Sequence, residues 1–429
     1  MKTSVVILAA GLGTRMKSSK PKVLQTLSAQ AMILHILKEA YELSDDITVV
    51  LSHQKERVEA EIKSLYENTQ ILEQDLKNYP GTAGALKNYT PKYEKTLILC
   101  GDMPLVRATS LKSLLDSGDL ALAVFKSENP KNYGRVIIDK NGVEKIVEFK
   151  DANEKERLIK TCNAGVYAIN SNLLKELLPK ISNQNAAKEY YLTDIIALAR
   201  QKGVEIKPVF VDEAEFMGVN DKFELSVAES LMQERIKKEL MLKGVIMRNP
   251  ASIFIDSRAH FEGECELEEN VRIMGACKII NSHIKSSSVI EESVIENSDI
   301  GPLAHIRPKC ELKNTHIGNF VECKNAHLDG VKAGHLSYLG DCEIGSGTNV
   351  GCGTITCNYD GLKKHKSVVG KNVFIGSDTQ LIAPVNIADE VIIAAGSSVS
   401  GDVPKGALFI NRADPKIVKD FFYKKFGEK

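Results

Sequence analysis

The stretch VVGKNVFIGSDTQLIAPVNIADEVIIAAGSSVS, residues 368–400, decides the architecture of the C-terminal half of this chain. Within it Val369, Ile375, Leu381, Ile387, Ile393 and Val399 fall six residues apart without a break. An earlier run, Val294, Ile300, Ile306 and Leu312, has the same period, and Gly follows the apolar position in Ile300-Gly301, Ile317-Gly318, Ile344-Gly345, Val350-Gly351, Val369-Gly370 and Ile375-Gly376. Each six-residue step reads as one flat side of a triangular coil, its aliphatic residue inside and small or polar residues at the corner, with three steps to a turn. A β-sandwich could show two or three such steps by chance, and the unbroken run argues against it. The expectation is a parallel β-helix of hexapeptide repeats.

Upstream the texture changes. From Lys222 to about Leu242 there is no Gly or Pro, and Ala228, Met232, Ile236 and Leu240 recur every four residues with charges between them, as in an amphipathic helix. Such a helix spans roughly 30 Å and marks a boundary between domains. Before it, β-rich runs (Val5 to Leu8, Ile47 to Leu51, Leu97 to Leu99, Leu120 to Val124) alternate with helical patterns such as Ile33 to Leu43, the rhythm of a doubly wound α/β sheet. The reading is an α/β domain over residues 1–221, a linker helix over 222–243 and a β-helix over 244–429.

A length of 429 residues agrees with two such units, and 43% apolar residues can fill two cores. The 56 basic residues match the 56 acidic ones, so no global field draws the chain to nucleic acid or to a membrane surface. Nine scattered cysteines without CxxC pairs read as free thiols in a reducing cytoplasm, not as a disulfide framework or zinc knuckle. The opening MKTSVVILAAG imitates a signal peptide, but it runs into Gly-Leu-Gly-Thr-Arg and fits a buried first strand better. No stretch approaches the roughly 18 apolar residues a membrane span needs.

Leu8-Ala9-Ala10-Gly11-Leu12-Gly13-Thr14-Arg15-Met16 leaves that first strand as a turn whose glycines let backbone N–H groups approach an anion. Met16 stands where a dinucleotide-binding GxGxxG would need its third Gly, and no GxxxxGK[ST] follows. Arg15, and Lys22 after Pro21, supply the cations a triphosphate requires. Gly101-Asp102-Met103-Pro104 follows a strand, where ligands of open α/β sheets sit, so Asp102 is a candidate Mg²⁺ ligand as well as a possible turn aspartate.

Together, LAAGxGTRM, PKVL at 21–24 and GDMP at 101–104 resemble the sugar-1-phosphate nucleotidyltransferases. Gly81-Thr82, Tyr133-Gly134-Arg135, Val147 to Asp151, Asn163-Ala164-Gly165, Glu189 to Asp194 and Gly218-Val219-Asn220 narrow the resemblance to uridyltransferases that make UDP-N-acetylglucosamine. The resemblance implies that UTP and the product lie along Leu8, Ala9, Ala10, Gly11 and Gly101. Gln74, Gly81 and Thr82 would hold uracil, and Gly134, Glu148 and Asn163 the N-acetylglucosamine. Arg15 and Lys22 would meet the phosphates, with Asp102 and Asn220 on Mg²⁺. Cys100 stands where this family often has Tyr, and the segment from Asp75 to Pro80 is longer than the resemblance leads one to expect.

In the β-helix, Arg307, Lys324, His335, Tyr338, Asn349 and Lys364 interrupt the bland texture, and a basic loop, Lys363-Lys364-His365-Lys366, leaves the hexad pattern. The segments 332–341, 353–361, 375–380 and 394–396 resemble the glucosamine-1-phosphate acetyltransferase half of the bifunctional family, whose β-helices are left-handed. That resemblance implies His335 as the base, with Arg307, Lys324, Tyr338, Asn349 and Lys364 on glucosamine 1-phosphate. It places acetyl-CoA on Cys352, Asn358, Tyr359, Ser377, Ala395 and Arg412. Cys352 stands where the family often has Ala; it reads as a small packing residue against the cofactor, with a cysteine nucleophile as the sharper alternative that an adjacent base would require. It also implies a homotrimer.

The expected function is acetyl transfer from acetyl-CoA to glucosamine 1-phosphate, then uridylyl transfer from UTP to N-acetylglucosamine 1-phosphate. The alternative is a single-activity nucleotidyltransferase with a regulatory or oligomerising β-helix, which leaves His335 without a purpose. A non-catalytic assembly subunit should have lost Lys22, Asp102 or Asn220, and all three are present.

Overall fold

The computed structural model describes residues 2–185, 187–411 and 415–427. It divides into two compact units, residues 1–232 and residues 233–429, so the boundary falls inside the helix Lys222–Leu242.

The first unit is built on a nine-stranded sheet. From one edge the strands are Gln70–Glu73, Asp46–Leu51, Thr3–Leu8, Lys95–Cys100, Thr161–Asn170, Leu120–Lys126, Ile206–Phe210, Gly142–Val147 and Arg135–Asp139. Thr3–Leu8 runs parallel to both of its neighbours, whereas Thr161–Asn170 runs antiparallel to both of its own, so the sheet is mixed. Central strands such as Thr3–Leu8, Asp46–Leu51 and Leu120–Lys126 are buried along nearly their whole length, because apolar layers cover both faces. Val5 and Ile7 face one layer and Val6 the other, as the two-residue period of a strand requires. Met32–Tyr41 forms the helix expected near Ile33 to Leu43. Ser28 N–H donates to Glu229 Oε2 at 2.9 Å, which fixes the start of the long helix within this unit.

The second unit is a parallel β-helix, consistent with the left-handed hexapeptide form. Corresponding strands of successive turns pair in parallel: His283 with Asp299, Asp299 with His316, His316 with Lys332, Lys332 with Asn349, Asn349 with Phe374, and Phe374 with Ile392. The interior is a column of aliphatic side chains in which Ile375, Leu381, Ile387, Ile393 and Val399 are fully buried. Val294 departs from the six-residue rule: it stands half-buried while its neighbour Ile295 fills the interior, because some corners are one residue shorter. Gln233 Nε2 donates to Ile255 O at 2.7 Å, and Lys237 Nζ to Pro250 O at 2.6 Å. Among the described residues no helix is long and apolar enough to cross a membrane.

Turns stack so closely that some corners exclude a side chain. A Cβ on Gly318 would lie 1.9 Å from the Gly334 carbonyl oxygen. Gly318→Ala must therefore spread two turns, at a cost of about 1–3 kcal/mol. Thermal unfolding should show a lower midpoint for the β-helix transition.

Candidate functional sites

The N-terminal site begins with two neighbouring parallel strands. Thr3–Leu8 and Lys95–Cys100 run side by side with Leu8 opposite Cys100, so the loops that follow them leave at one edge of the sheet. Gly101 N–H donates to Leu8 O at 2.8 Å, and a Cβ on Gly101 would come within 2.8 Å of the Ala9 Cβ. Gly13 has a left-handed φ of 63°, and a Cβ there would meet the Lys22 Cβ at 2.7 Å. The two glycines thus let the first loop press against both Asp102 and Lys22.

Four residues from separate segments meet there. Lys22 Nζ lies 2.5 Å from Asp102 Oδ2 and 3.3 Å from Asn220 Oδ1, and the Arg15 guanidinium donates to Asn220 Oδ1 at 2.8 Å. Val219 N–H donates to the Asp102 carbonyl at 2.8 Å, which holds Gly218-Val219-Asn220 beside the aspartate. A carboxylate oxygen and an amide oxygen therefore converge on one cation. That donor set suits Mg²⁺, which takes one or two protein oxygens and fills its octahedron with phosphate and water. Among the described residues no cluster of three or more His, Cys, Asp or Glu side chains could hold a metal alone, so such an ion would depend on substrate oxygens.

A cleft of about 740 Å³ opens over this group. Leu8, Ala9, Ala10, Gly11, Arg15, Lys22, Gln74, Gly81, Thr82, Gly101, Asp102, Glu148 and Asn220 all line it. The long segment after Gln74 folds back on Asp75, whose carboxylate accepts from Lys77 N and Asn78 N at 3.1 Å, and Gln74 Nε2 still reaches Gly81 O at 2.9 Å. Gly134 and Asn163 adjoin the cleft through Glu148: a Cβ on Gly134 would lie 3.5 Å from Glu148 Oε1, and Asn163 N–H donates to Gly134 O at 2.9 Å.

Burial pushes the Glu148 carboxyl above its ordinary 4.5, against a lowering hydrogen bond from Thr193 and reinforced by Asp151 and Asp194. The Cys100 thiol is pushed up to about 12, first by burial and then by Asp102. It is therefore a neutral packing group on the cleft wall.

Glu189 and Tyr191 also line the cleft, although the sequence reading assigned them no role. They arrive by long-range pairing, with Ala83 N–H donating to Tyr190 O and Leu192 N–H to Thr82 Oγ1, both at 2.9 Å. No local pattern signals such a pairing.

In the β-helix the turns gather two groups. Ile306 pairs with Cys323, Glu322 with Tyr338, and Lys324 with Gly340, so Arg307, Lys324 and Tyr338 share one side of consecutive turns. The loop from Asn358 returns Lys364 to this side through a Tyr359–Lys364 bridge. Asp360 braces that loop by accepting from Leu362 N at 2.7 Å and Lys363 N at 2.6 Å, and those bonds with His365 hold its carboxyl well below the carboxylate range. Lys364, and then Arg307, lower the pKa of Lys324 by crowding like charges together. Cations gathered in this way form a positive patch suited to a phosphate group.

The second group is a corner column. His335 pairs with Asn319, Cys352 O accepts from Asp378 N at 2.8 Å, and Ser377 O accepts from Gly396 N at 2.8 Å. His335, Cys352, Ser377 and Ala395 thus occupy the same corner on consecutive turns. Asn358 touches the cationic side, its Nδ2 lying 3.4 Å from the Tyr338 hydroxyl. Tyr359 is exposed in the loop and donates to Gly361 O at 2.6 Å. Asn349 is not brought to the cations: it lies on the other sheet, between Lys332 and Phe374. Arg412 lies outside the described residues.

These features define a class: a nucleotidyltransferase-type α/β unit joined to a β-helix of the hexapeptide acyltransferase type. Residues 5–166 match the MobA-like NTP transferase domain. The chain is 72% identical over 427 residues to the Bifunctional protein GlmU of Campylobacter jejuni subsp. jejuni serotype O:6 (strain 81116 / NCTC 11828), covering 99% of this chain and 100% of that one. It is 67% identical over 427 residues to the Bifunctional protein GlmU of Campylobacter lari (strain RM2100 / D67 / ATCC BAA-1060), with the same coverage. The chain belongs to the bifunctional GlmU family. Among solved structures, the inositol-1-phosphate CTP transferase from T. maritima is similar at 18% identity and a TM-score of 0.43, covering 53% of this chain and 96% of that one.

Proposed function

We propose that this chain makes UDP-N-acetylglucosamine in two steps, acetylating glucosamine 1-phosphate in the β-helix and uridylating the product in the α/β unit. The observation that carries the second step is the meeting of Arg15, Lys22, Asp102 and Asn220 in one cleft. There a phosphate oxygen of N-acetylglucosamine 1-phosphate attacks the α-phosphorus of UTP, and the bond to the bridging oxygen of pyrophosphate breaks. Arg15 and Lys22 offset the charge of the phosphates, and no protein nucleophile takes part. Mg²⁺ bound through Asp102 and Asn220 supplies further neutralisation of phosphate charge. Gln74, Gly81 and Thr82 hold the base, and Glu148 with Asn163 and Gly134 holds the sugar.

In the β-helix, Arg307, Lys324, Tyr338 and Lys364 bind the sugar phosphate. His335 takes a proton from the 2-amino group as its nitrogen attacks the thioester carbon of acetyl-CoA, and the C–S bond breaks to release CoA, whose thiolate takes up that proton. Cys352, Asn358, Tyr359, Ser377, Ala395 and Arg412 form the acetyl-CoA side. Incubation with radiolabelled glucosamine 1-phosphate, acetyl-CoA, UTP and Mg²⁺ tests the scheme: labelled UDP-N-acetylglucosamine supports it, and label retained in the starting sugar refutes it. The setting that fits free thiols and these soluble substrates is the cytoplasm.

A homotrimer fits the β-helix. Asn349 faces away from the cations of its own chain, and a second copy can bring that face to them. The stripe Phe374, Ile392 and Leu408, paired on successive turns and each at least half exposed, supplies an apolar contact. Phe374→Glu should give monomers in sedimentation velocity, with acetyl transfer lost and pyrophosphate release retained.

The raised Glu148 carboxyl gives the first activity a pH signature. A group whose pKa lies above 4.5 gains its proton at a higher pH than a free glutamate, so the acceptor for sugar hydroxyls is lost early as pH falls. The KM for N-acetylglucosamine 1-phosphate should rise on the acid side, and Glu148→Gln should flatten that rise while raising KM throughout.

A further inference from the structure

Asp341 places an anion among the cations of the β-helix. Strand Tyr338–Ile344 pairs with Glu322–Asp329 on one side and Ile355–Cys357 on the other, Lys324 opposite Gly340 and Tyr338 opposite Ile355. That register stacks Asn325, Asp341 and Asn358 on consecutive turns. Asn325 Nδ2 donates to Asp341 Oδ1 at 2.7 Å, and Asn358 Nδ2 donates to Asp341 Oδ2 at 2.5 Å. Lys364 Nζ stands 3.9 Å from the same Oδ2. The Asp341 side chain is 16% exposed and Asn358 is 7% exposed, so these contacts are sheltered from competing water.

The chemistry removes the usual ambiguity of an amide. An ionised carboxylate only accepts hydrogen bonds, so each asparagine must turn its NH₂ end to Asp341. The Asn358 NH₂ also lies 3.4 Å from the Tyr338 hydroxyl. With its nitrogen end held from two sides, the amide presents its carbonyl oxygen in one direction. The same carboxylate puts a negative charge 3.9 Å from the Lys364 ammonium, opposing the charge a sugar phosphate brings there.

We propose that Asp341 is a positioning residue for acetyl transfer, locking the Asn358 amide on the acetyl-CoA side. The inference rests on the roles given to Asn358 and Lys364 in the proposed function. It predicts effects of opposite sign on the two substrates. Without the carboxylate, Asn358 loses the partner that sets its orientation, which weakens acetyl-CoA binding. The sugar phosphate instead loses a repelling anion near Lys364.

The experiment is steady-state acetyl transfer by the full chain as wild type, Asp341→Asn and Asn325→Ala, with thermal unfolding of each. Loss of a hydrogen bond to a charged group should raise the acetyl-CoA KM of Asp341→Asn about tenfold. The KM for glucosamine 1-phosphate should stay at or below that of the wild type. Asn325→Ala keeps the charge and the Asn358 contact but loosens the carboxylate, so its acetyl-CoA KM should rise about twofold to threefold. Unchanged acetyl-CoA KM in both variants, or both KM values rising together with a lower unfolding midpoint, overturns the inference in favour of a structural aspartate. A wild type without acetyl transfer overturns the proposed function and this inference with it, whereas an active wild type with indifferent variants overturns the inference alone.

Discussion

Asp102→Ala is expected to lower pyrophosphate release by about a thousandfold while leaving acetyl transfer unchanged. Two consequences of the geometry set the size of that loss. The carboxylate sits 2.5 Å from Lys22 Nζ, so its removal frees the ammonium from the place where it meets phosphate. Asp102 is also the charged member of the oxygen pair suited to Mg²⁺, and an asparagine oxygen alone is a poor ligand. Pyrophosphate exchange or a coupled phosphate assay reads the outcome. Asp102→Asn should recover little, because it restores shape without charge, and a full recovery would mean that Asp102 only caps its turn. The backbone bond from Val219 N–H to the Asp102 carbonyl survives both substitutions, so the site keeps its frame.

His335→Ala is expected to have the complementary effect, lowering acetyl transfer by about 10²- to 10⁴-fold with pyrophosphate release intact. An ammonium has no lone pair, so a sugar amine protonated near neutrality needs a proton acceptor before it can attack a thioester. His335 is exposed on its corner of the coil, and the same column carries Cys352, Ser377 and Ala395. Cys352, next to His335 on the following turn, offers no substitute, since a thiol sulfur is a weak acceptor. Free-thiol release from acetyl-CoA measures the loss, and pyrophosphate release measures the retained activity.

Much of the architecture is legible in residue order because its physics is local or periodic. The hexad aliphatics announce the coil, since each must point inward on every flat side. Val294 defeats the count because a corner can drop one residue without breaking the ladder, and only the three-dimensional register shows that Ile295 takes its place inside. The mixed sheet is less legible. Thr161–Asn170 runs antiparallel between two strands far from it in sequence, and nothing in its own composition reports that direction.

The candidate sites divide in the same way. Gly13, Arg15, Lys22 and Asp102 stand in short motifs whose chemistry can be argued residue by residue. Asn220 gains its meaning from the bond that carries it to Asp102, and Tyr191 from two loops that meet near Gly81 and Thr82. Asp341 carries no signal in residue order, since a lone aspartate says nothing until its neighbours on the adjoining turns are known to be two asparagines and a lysine.

The central claim is that one chain performs both reactions. Its most direct test supplies the purified protein with glucosamine 1-phosphate, UTP and Mg²⁺, with and without acetyl-CoA, and follows UDP-N-acetylglucosamine together with free CoA thiol. Both products should appear in step when acetyl-CoA is present and neither when it is withheld. Pyrophosphate release from added N-acetylglucosamine 1-phosphate, with no CoA thiol ever formed from glucosamine 1-phosphate, would contradict that claim and leave the β-helix without acetyltransferase chemistry.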